Sequence, residues 1–419
     1  MSMEGVPGKG NVARCLPVIV TVPQCSKVRM QSPLHNPVTN SKMAIAAFQR
    51  GRCNHISVGA GRRASAVCRL VPRLVGRGPG VSTRGINRMS LSPDRTSSSR
   101  FRILSLDGGG ALGFYTLGVL TEIEAMVGSA LCESFDLVYG TSTGAIIAAL
   151  ISLGSRVNDI HDLYRRYVPY IMGRLTRHGR SRALARLAKT VFGTHTFEDA
   201  KCLLGIVATR SDFEAPIVFK GSPKQAHGRQ STFVPGFGCT LAEAIQASCS
   251  AYPYFQRSLI STKDNNQLDL IDGGYCANNP TLFAIADATG PLHVSRSTIR
   301  VVSIGVGGYP QSRNWRSWLQ NSFPPFRLLK KTLSVNAASM EQLRAILYRD
   351  VDTVRINDIF DQHEMAADMM ETDLRKLGMI YQRGRESFAK READLKRMLS
   401  ESRSLHAVAG SSGPNHDFG

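Results

Sequence analysis

Short apolar runs alternate with glycine-rich turns and amphipathic stretches through the middle of the chain. Residues 102–106 form a first apolar run, and apolar positions then recur every three or four residues over 117–127, as in a helix. A second apolar run at 135–139 leads through another glycine turn into the almost wholly apolar stretch 145–153. The order strand, glycine turn, helix therefore occurs twice, and it predicts an α/β fold in which helices cover a parallel sheet.

The pattern predicts further elements toward the C-terminus. A basic helical stretch covers 160–192, and Thr240 and Glu243 have the spacing of a capping box that opens a helix through Cys249. The chain from Phe326 onward is mostly helical in pattern and includes a long charged helix. Further strands are predicted at 204–209, 216–220, 268–271, 299–306 and 351–356, and the charged helix at 379–399.

Charge divides the chain unevenly. Residues 1–100 hold 16 of the 52 Lys and Arg but only 2 of the 32 Asp and Glu, so +14 of the net +20 falls there. This Gly- and Pro-rich segment predicts a disordered basic leader. An organellar transit peptide, a basic tail for anionic membranes and a true start of translation at Met89 are all open, and we favour the last. We expect a main domain at 101–310, a helical extension at 311–400 and a disordered tail at 401–419.

The remaining composition excludes several classes of protein. Beyond residue 100 the chain holds 36 basic against 30 acidic residues, a near balance that argues against a nucleic-acid partner. The nine cysteines are widely spaced and form no CxxC pair, so we expect no metal site, no disulfide framework and a reducing, cytoplasmic compartment. The apolar runs Leu16–Val22 and Ala145–Leu153 are shorter than the about 18–20 residues of a membrane span.

Ser142 lies in a Gly-x-Ser-x-Gly turn between a predicted strand and an apolar helix. A turn of this kind is so tight that Gly140 and Gly144 are needed, because a Cβ at either position would clash. It lifts the hydroxyl clear of the sheet, close to a helix N-terminus where developing negative charge is favoured. The sequence therefore predicts that Ser142 is a nucleophile.

A second glycine-rich turn follows the first predicted strand. Consecutive glycines can aim their backbone N–H groups into one concavity, which beside an activated serine would be an oxyanion hole. The same turn matches G-x-G-x-x-G, so a nucleotide-binding module without hydrolysis stays open, although that fold expects an acidic residue where the second strand leads into Ser142. A structural or regulatory binding protein with tight turns is a third hypothesis. The glycines concerned are Gly108, Gly109, Gly110 and Gly113.

A serine hydroxyl needs a base to become nucleophilic. Asp272 closes a predicted strand and is followed by Gly273 and Gly274, which places it where active sites of open α/β sheets collect. An ordinary Asp-Gly turn explains the same residues equally well. No histidine stands at an obvious catalytic corner, although His293 precedes the strand predicted at 299–306.

The three glycine-containing motifs, in this order, resemble the patatin-like phospholipase family over about residues 101–310. This resemblance implies a three-layer α/β fold with a parallel sheet, and a Ser142–Asp272 dyad without histidine. It also implies an oxyanion hole around Gly108–Gly110 and hydrolysis of acyl esters in lipids through an acyl-enzyme, without metal or cofactor. The motifs lie at 107–113, 140–144 and 272–274, and similar flanking segments lie at 247–255 and 278–280.

The family resemblance also implies partners. Phospholipid or another lipid ester would be the substrate, reached from the cytoplasm by transient contact with a membrane surface. Bacterial patatins of this size further resemble effectors of antiphage systems, which a cyclic nucleotide activates. One position departs from the family pattern: Leu112 stands where Arg or Lys is frequent, so this position supplies no basic side chain for a phosphate.

Overall fold

The computed structural model describes residues 100–310 and 324–400. The predicted leader before residue 100, the tail at 401–419 and the start of the predicted extension lie outside the described residues. Short 3-10 turns connect several elements. The helices and strands, in chain order, are β1 (Phe101–Leu106), α1 (Gly113–Val127), α2 (Leu131–Ser134), β2 (Leu137–Thr141), α3 (Thr143–Ser152), α4 (Val157–Met172), α5 (Arg177–Phe192), β3 (Leu203–Arg210), β4 (Ala215–Lys220), α6 (Leu241–Ser248), β5 (Ser258–Ser261), β6 (Gln267–Asp272), α7 (Gly274–Ala277), α8 (Thr281–Thr289), β7 (Ile299–Ile304), α9 (Pro324–Leu347), β8 (Asp352–Ile356), α10 (Leu374–Ala389) and α11 (Glu392–Ser400).

A mixed sheet organises the described residues, with the strand order β5-β6-β3-β2-β1-β7-β8 and β4 beside β3. Five neighbouring strands, β3, β2, β1, β7 and β8, run parallel to one another, which confirms the predicted α/β class. At the other end β4, β5 and β6 run antiparallel, which the sequence did not indicate. The short connection from β3 to β4 permits only an antiparallel pair, because a parallel return needs a crossover of a dozen or more residues.

Strands β2 and β6 both pair with β3 along the edge opposite β4, and their carboxyl ends meet there. Strand β2 runs parallel to β3 and ends at Thr141, opposite Val207. Strand β6 approaches from the other direction and ends at Asp272, opposite Ala208. Because Val207 and Ala208 are consecutive, the residue that follows β2 and the last residue of β6 lie side by side.

The C-terminal region is joined to the same sheet and core. Strand β8 pairs in parallel with β7, and α10 packs closely on α1. Glycine is required at this helix contact, because a methyl group on Gly118 would collide with the carbonyl oxygen of Tyr381, and one on Gly384 with that of Tyr115. The domain boundary at residue 310 stays a prediction.

Several predicted elements differ from those observed. The second strand spans Leu137–Thr141 rather than 135–139, since the segment before it forms α2. The basic stretch consists of two helices, and the Thr176 side chain caps the second by accepting the N–H of Gly179. The long charged helix is likewise two helices, α10 and α11, separated by a turn at Lys390.

One helix among the described residues is long and apolar enough, by mean hydropathy, to cross a membrane. It spans Gly110–Val127. Threonine and glutamate interrupt its apolar positions, so the segment is not an uninterrupted apolar run in the sequence. In the structure 61% of this segment is buried. It packs against α4 and α10 within the hydrophobic core, as the core helix of a folded domain does.

Candidate active site

Ser142 occupies the turn between β2 and α3 in a strained conformation. Its φ is 53° and its ψ −121°, a region that few residues other than glycine adopt. The turn is tight enough that a methyl group on Gly140 would collide with the carbonyl oxygen of Gly144, and one on Gly144 with that of Leu106. The structure therefore shows the glycine requirement that the sequence pattern predicts.

The hydroxyl of Ser142 is hydrogen-bonded to the carboxylate of Asp272. Ser142 Oγ donates to Asp272 Oδ2 over 2.7 Å, and the backbone N–H of Gly274 donates to Oδ1 over 2.7 Å. The Asp272 carboxyl is 2% exposed, and its burial raises the pKa to about 6 although both hydrogen bonds act in the opposite direction. A carboxylate that is basic near neutral pH thus contacts the hydroxyl directly.

Ser248, the last residue of α6, connects the two loops of this pair. Its Oγ donates to the carbonyl oxygen of Val207 over 2.6 Å and accepts the backbone N–H of Ser142 over 2.9 Å. Its carbonyl oxygen accepts the N–H of Gly273 over 3.2 Å. One buried serine therefore fixes the backbone on both sides of the dyad, a role that sequence analysis missed.

The glycine-rich loop after β1 lies directly beside Ser142. A methyl group on Gly108 would be 3.2 Å from Ser142 Cβ. The N–H of Gly108, which the prediction included among the oxyanion donors, instead donates to the carbonyl oxygen of Asn278 over 3.0 Å, and that of Ala111 donates to Met369 over 2.9 Å. Within residues 100–310 and 324–400, the N–H groups of Gly109 and Gly110 donate to no protein acceptor, so these two are available to an oxyanion.

A buried ion pair fixes the start of this loop. Arg355 of β8 donates from Nη1 to Asp107 Oδ1 over 2.8 Å and from Nη2 to Oδ2, and Nη1 also reaches Ser303 Oγ at 2.8 Å. Asp107 is 3% exposed. Leu112, in contrast, packs its side chain against the core. Sequence analysis missed Arg355, whose one signal is a charged residue inside the apolar strand pattern 351–356.

We expect Arg355→Met to lower the free energy of unfolding by about 3–5 kcal/mol, because it leaves a buried carboxylate without its cation. Urea denaturation measures this. Lys396→Met is the matched control, since Lys396 pairs with Glu392 over 2.6 Å on the surface of α11. It should cost only about 0.5 kcal/mol. Equal small losses in both variants would show that the buried pair does not stabilise the fold.

An apolar pocket opens beside Ser142. The inner faces of α3, α4 and α5 form most of its wall, and Cys249, Ala251 and Phe255 complete one side. Met369 and Met370, from the segment before α10, cover the side next to Gly110. A pocket with almost only apolar side chains suits a hydrocarbon chain attached to a carbonyl group at the serine.

Other candidate groups lie elsewhere. His293 precedes the amino end of β7, whereas Ser142 follows the carboxyl end of β2 and Asp272 is the last residue of β6, so His293 is not part of the pair. Asp136 precedes β2 and accepts the N–H of Arg102 over 2.8 Å, so it cannot act as the ribose-binding acid of a dinucleotide fold. In the described part of the chain no cluster of three or more His, Cys, Asp or Glu could hold a metal ion.

Comparison with known proteins agrees with this geometry. The family model described as patatin-like phospholipase matches residues 104–285. A cUMP-AMP-activated phospholipase from Escherichia coli is 53% identical over 323 residues, which cover 76% of this chain and 99% of the relative. The chain belongs to the patatin-like phospholipase family. The prediction that it is a hydrolase of lipid acyl esters is thereby confirmed.

More distant relatives of this patatin-like phospholipase are also phospholipases. A cGAMP-activated phospholipase from Vibrio cholerae is 27% identical over 343 residues, 70% of this chain and 93% of the relative. Among solved structures, VipD from Legionella pneumophila matches 72% of this chain and 67% of its own with a TM-score of 0.39 and 13% identity. That structural likeness is weak, and nothing about function follows from it.

Proposed function

We propose that this chain is a phospholipase in which Ser142 is the nucleophile and Asp272 the base, and that a cyclic dinucleotide activates it. The 2.7 Å hydrogen bond between Ser142 Oγ and Asp272 Oδ2, in an α/β fold of the patatin-like family, is the observation that carries the catalytic part. The activation is supported by two relatives along nearly their whole length, a cUMP-AMP-activated and a cGAMP-activated phospholipase.

The reaction we propose has two steps. Ser142 Oγ attacks the ester carbonyl carbon while Asp272 takes the hydroxyl proton, and the N–H groups of Gly109 and Gly110 receive the developing oxyanion. The C–O ester bond then breaks, and Asp272 returns the proton to the leaving alcohol, a lysophospholipid. In the second step Asp272 takes a proton from water, whose oxygen attacks the acyl carbonyl carbon. The bond between that carbon and Ser142 Oγ then breaks, and Asp272 returns the proton to Oγ as the fatty acid leaves.

We infer further that the enzyme works at the cytoplasmic surface of a membrane, because its substrates are lipids of a bilayer. Residue 112 supplies no cation for a phosphate, because it is a half-buried leucine that packs against the core. A role in defence against phage, which the family resemblance implies, stays a prediction. Nucleotide binding by the Gly108–Gly113 turn without hydrolysis is disfavoured, since Ser142 follows β2 at the position where that fold needs a ribose-binding acid.

The activation is tested by incubating the full chain with phosphatidylglycerol and phosphatidylethanolamine vesicles, with cUMP-AMP, with cGAMP or with neither. Free fatty acid and lysophospholipid are measured by mass spectrometry. We expect release with cUMP-AMP and much less without any nucleotide. Equal release in all samples would exclude activation, and no release of fatty acid in any sample would overturn the proposed function.

Activity should depend on pH through the Asp272 carboxyl. Its pKa in the folded protein is about 6, and only the deprotonated form can act as base, so kcat/KM should fall about tenfold per pH unit below 6 and level off above it. Hydrolysis of p-nitrophenyl butyrate, a soluble ester, measures this without a membrane. A profile that bends near pH 4 instead would mean that burial does not raise this pKa.

A further inference from the structure

Beyond Asp162, the helical hairpin of α4 and α5 carries charge of a single sign. Between residues 163 and 192 the chain has eight Arg and Lys and no Asp or Glu. Arg180 is buried, and the other seven side chains are exposed. The exposed basic residues are Arg165, Arg166, Arg174, Arg177, Arg182, Arg186 and Lys189.

An apolar side chain stands at the tip of this hairpin. Leu175, between α4 and α5, is 86% exposed. The guanidinium of Arg174 lies 4.1 Å from the ring centre of Tyr170, which is itself partly exposed. Exposed leucine and tyrosine set among arginines are typical of an element that enters the interface of a bilayer, since the apolar groups reach the acyl boundary and the cations stay at the phosphates. We call the segment 170–186, with its exposed side chains, the basic tip.

The basic tip is continuous with the catalytic pocket. Buried Arg180 donates to the carbonyl oxygens of Leu175 (3.3 Å) and Tyr254 (3.1 Å), so it joins the tip to the pocket wall. The guanidinium of Arg177 lies over the ring of Tyr252, the neighbour of pocket residue Ala251. A lipid surface at the tip would thus lie next to the wall of the acyl pocket, to which Ile171, Met172 and Leu184 from the same hairpin contribute.

The titratable groups next to the basic tip do not neutralise its positive charge. His178 contacts Arg182 at 2.8 Å, and Arg257, which also lies over the Tyr252 ring, is paired with Asp269 at 3.0 Å. The acidic partner thus belongs to Arg257 and to none of the arginines on the tip. Nucleic acid would suit the charge but not the exposed leucine beside an apolar pocket.

We propose that the basic tip docks this enzyme on bilayers that contain anionic phospholipids. The inference rests on the proposed function, since the bilayer is the source of the substrate. Each arginine at such a surface strengthens binding by about fivefold, and insertion of one leucine by about tenfold. The arginines hold the enzyme at the headgroups, and Leu175 sets the depth of the pocket opening.

Sedimentation with vesicles tests the surface. The full chain is mixed with vesicles of phosphatidylcholine alone or with phosphatidylglycerol, and bound protein is measured. We expect binding to the anionic vesicles only, about 100-fold weaker binding for R174Q/R177Q/R182Q and about tenfold weaker binding for Leu175→Ser. The matched controls are R327Q/K331Q/R349Q on exposed positions in and just after α9, and Ile359→Ser, whose side chain is 85% exposed. Both controls should bind like the wild type.

Two readouts separate this proposal from the proposed function. Hydrolysis of p-nitrophenyl butyrate with cUMP-AMP should be unchanged in the tip variants, because a soluble ester needs no bilayer. If those variants instead lose nucleotide-dependent hydrolysis, the arginines bind the nucleotide and the docking proposal is wrong. Equal loss of vesicle binding in tip and control variants, or no binding by the wild type, would also overturn it. A wild type inactive on both esters and vesicles, yet bound to vesicles, would refute the proposed function alone.

Discussion

Ser142→Ala should abolish lipid hydrolysis, with a loss in kcat of about a millionfold, as for removal of the nucleophile in other serine hydrolases. The reason is that no other hydroxyl in the described residues donates to the Asp272 carboxylate, whereas Ser142 Oγ donates to Oδ2 over 2.7 Å. Fatty acid release from vesicles in the presence of cUMP-AMP measures the loss. A fluorophosphonate probe should label the wild type at Ser142 and leave the variant unlabelled.

The matched control is Ser152→Ala, at the end of the helix that begins beside Ser142. Its hydroxyl is buried and donates to the carbonyl oxygen of Ala149 over 2.8 Å, remote from the carboxylate. This variant should keep full labelling and hydrolysis. Hydrolysis that persists in Ser142→Ala at more than a trace would identify another nucleophile and refute the proposed dyad.

Asp272→Asn should lower kcat by about 10⁴-fold, because an amide cannot take the proton of Ser142. Fluorophosphonate labelling of Ser142 should slow in parallel, since the probe reacts only with an activated serine. Asp269→Asn is the matched control: it lies on the same strand, is more exposed, and pairs with Arg257 instead of a serine. Measured on a soluble ester, it should react at the wild-type rate, and equal losses in both variants would contradict a specific base at Asp272.

Asp272→Asn should stabilise the fold at neutral pH. The pKa of Asp272 is raised to about 6 in the folded protein from 3.8, so the folded state resists ionisation and loses stability as pH rises from about 4 to 6. Asparagine removes that penalty, about 3 kcal/mol at pH 7, and the advantage should vanish below pH 4, where both states are protonated. Urea denaturation at pH 7 and pH 4 tests it; an equal or lower stability of the variant at pH 7 would show that the ionised carboxylate is not disfavoured.

The positions of Ser142 and Asp272 at strand ends were predictable because each carries its own local signal, whereas their pairing as a dyad was implied by the family resemblance and stays a prediction. A serine between glycines after an apolar run needs a tight turn, and Asp272 ends an apolar run before two glycines. The predicted parallel strands were likewise read from β-type runs, and β1, β3 and β7 lie within a residue or two of their predictions. Local chemistry fixes such features because the backbone conformation follows from the residues nearby.

Features that depend on distant residues could not be predicted in this way. The direction of β6 is set by its pairing with Ala208–Arg210, about 60 residues earlier, and no pattern within β6 distinguishes parallel from antiparallel pairing. The loss of Gly108 as an oxyanion donor depends on Asn278, and the partner of Asp107 is 248 residues away. The short polar strand β5 has too few apolar positions to be recognised.

The distance between Asp107 and Arg355 has a consequence for the newly synthesised protein. The carboxylate that begins the Gly109–Gly110 loop emerges from the ribosome 248 residues before its guanidinium partner. Until Arg355 is available, burial of the unpaired carboxylate is unfavourable, and the loop cannot take its place beside Ser142. We therefore expect polypeptides that terminate before Arg355 to lack lipid hydrolysis.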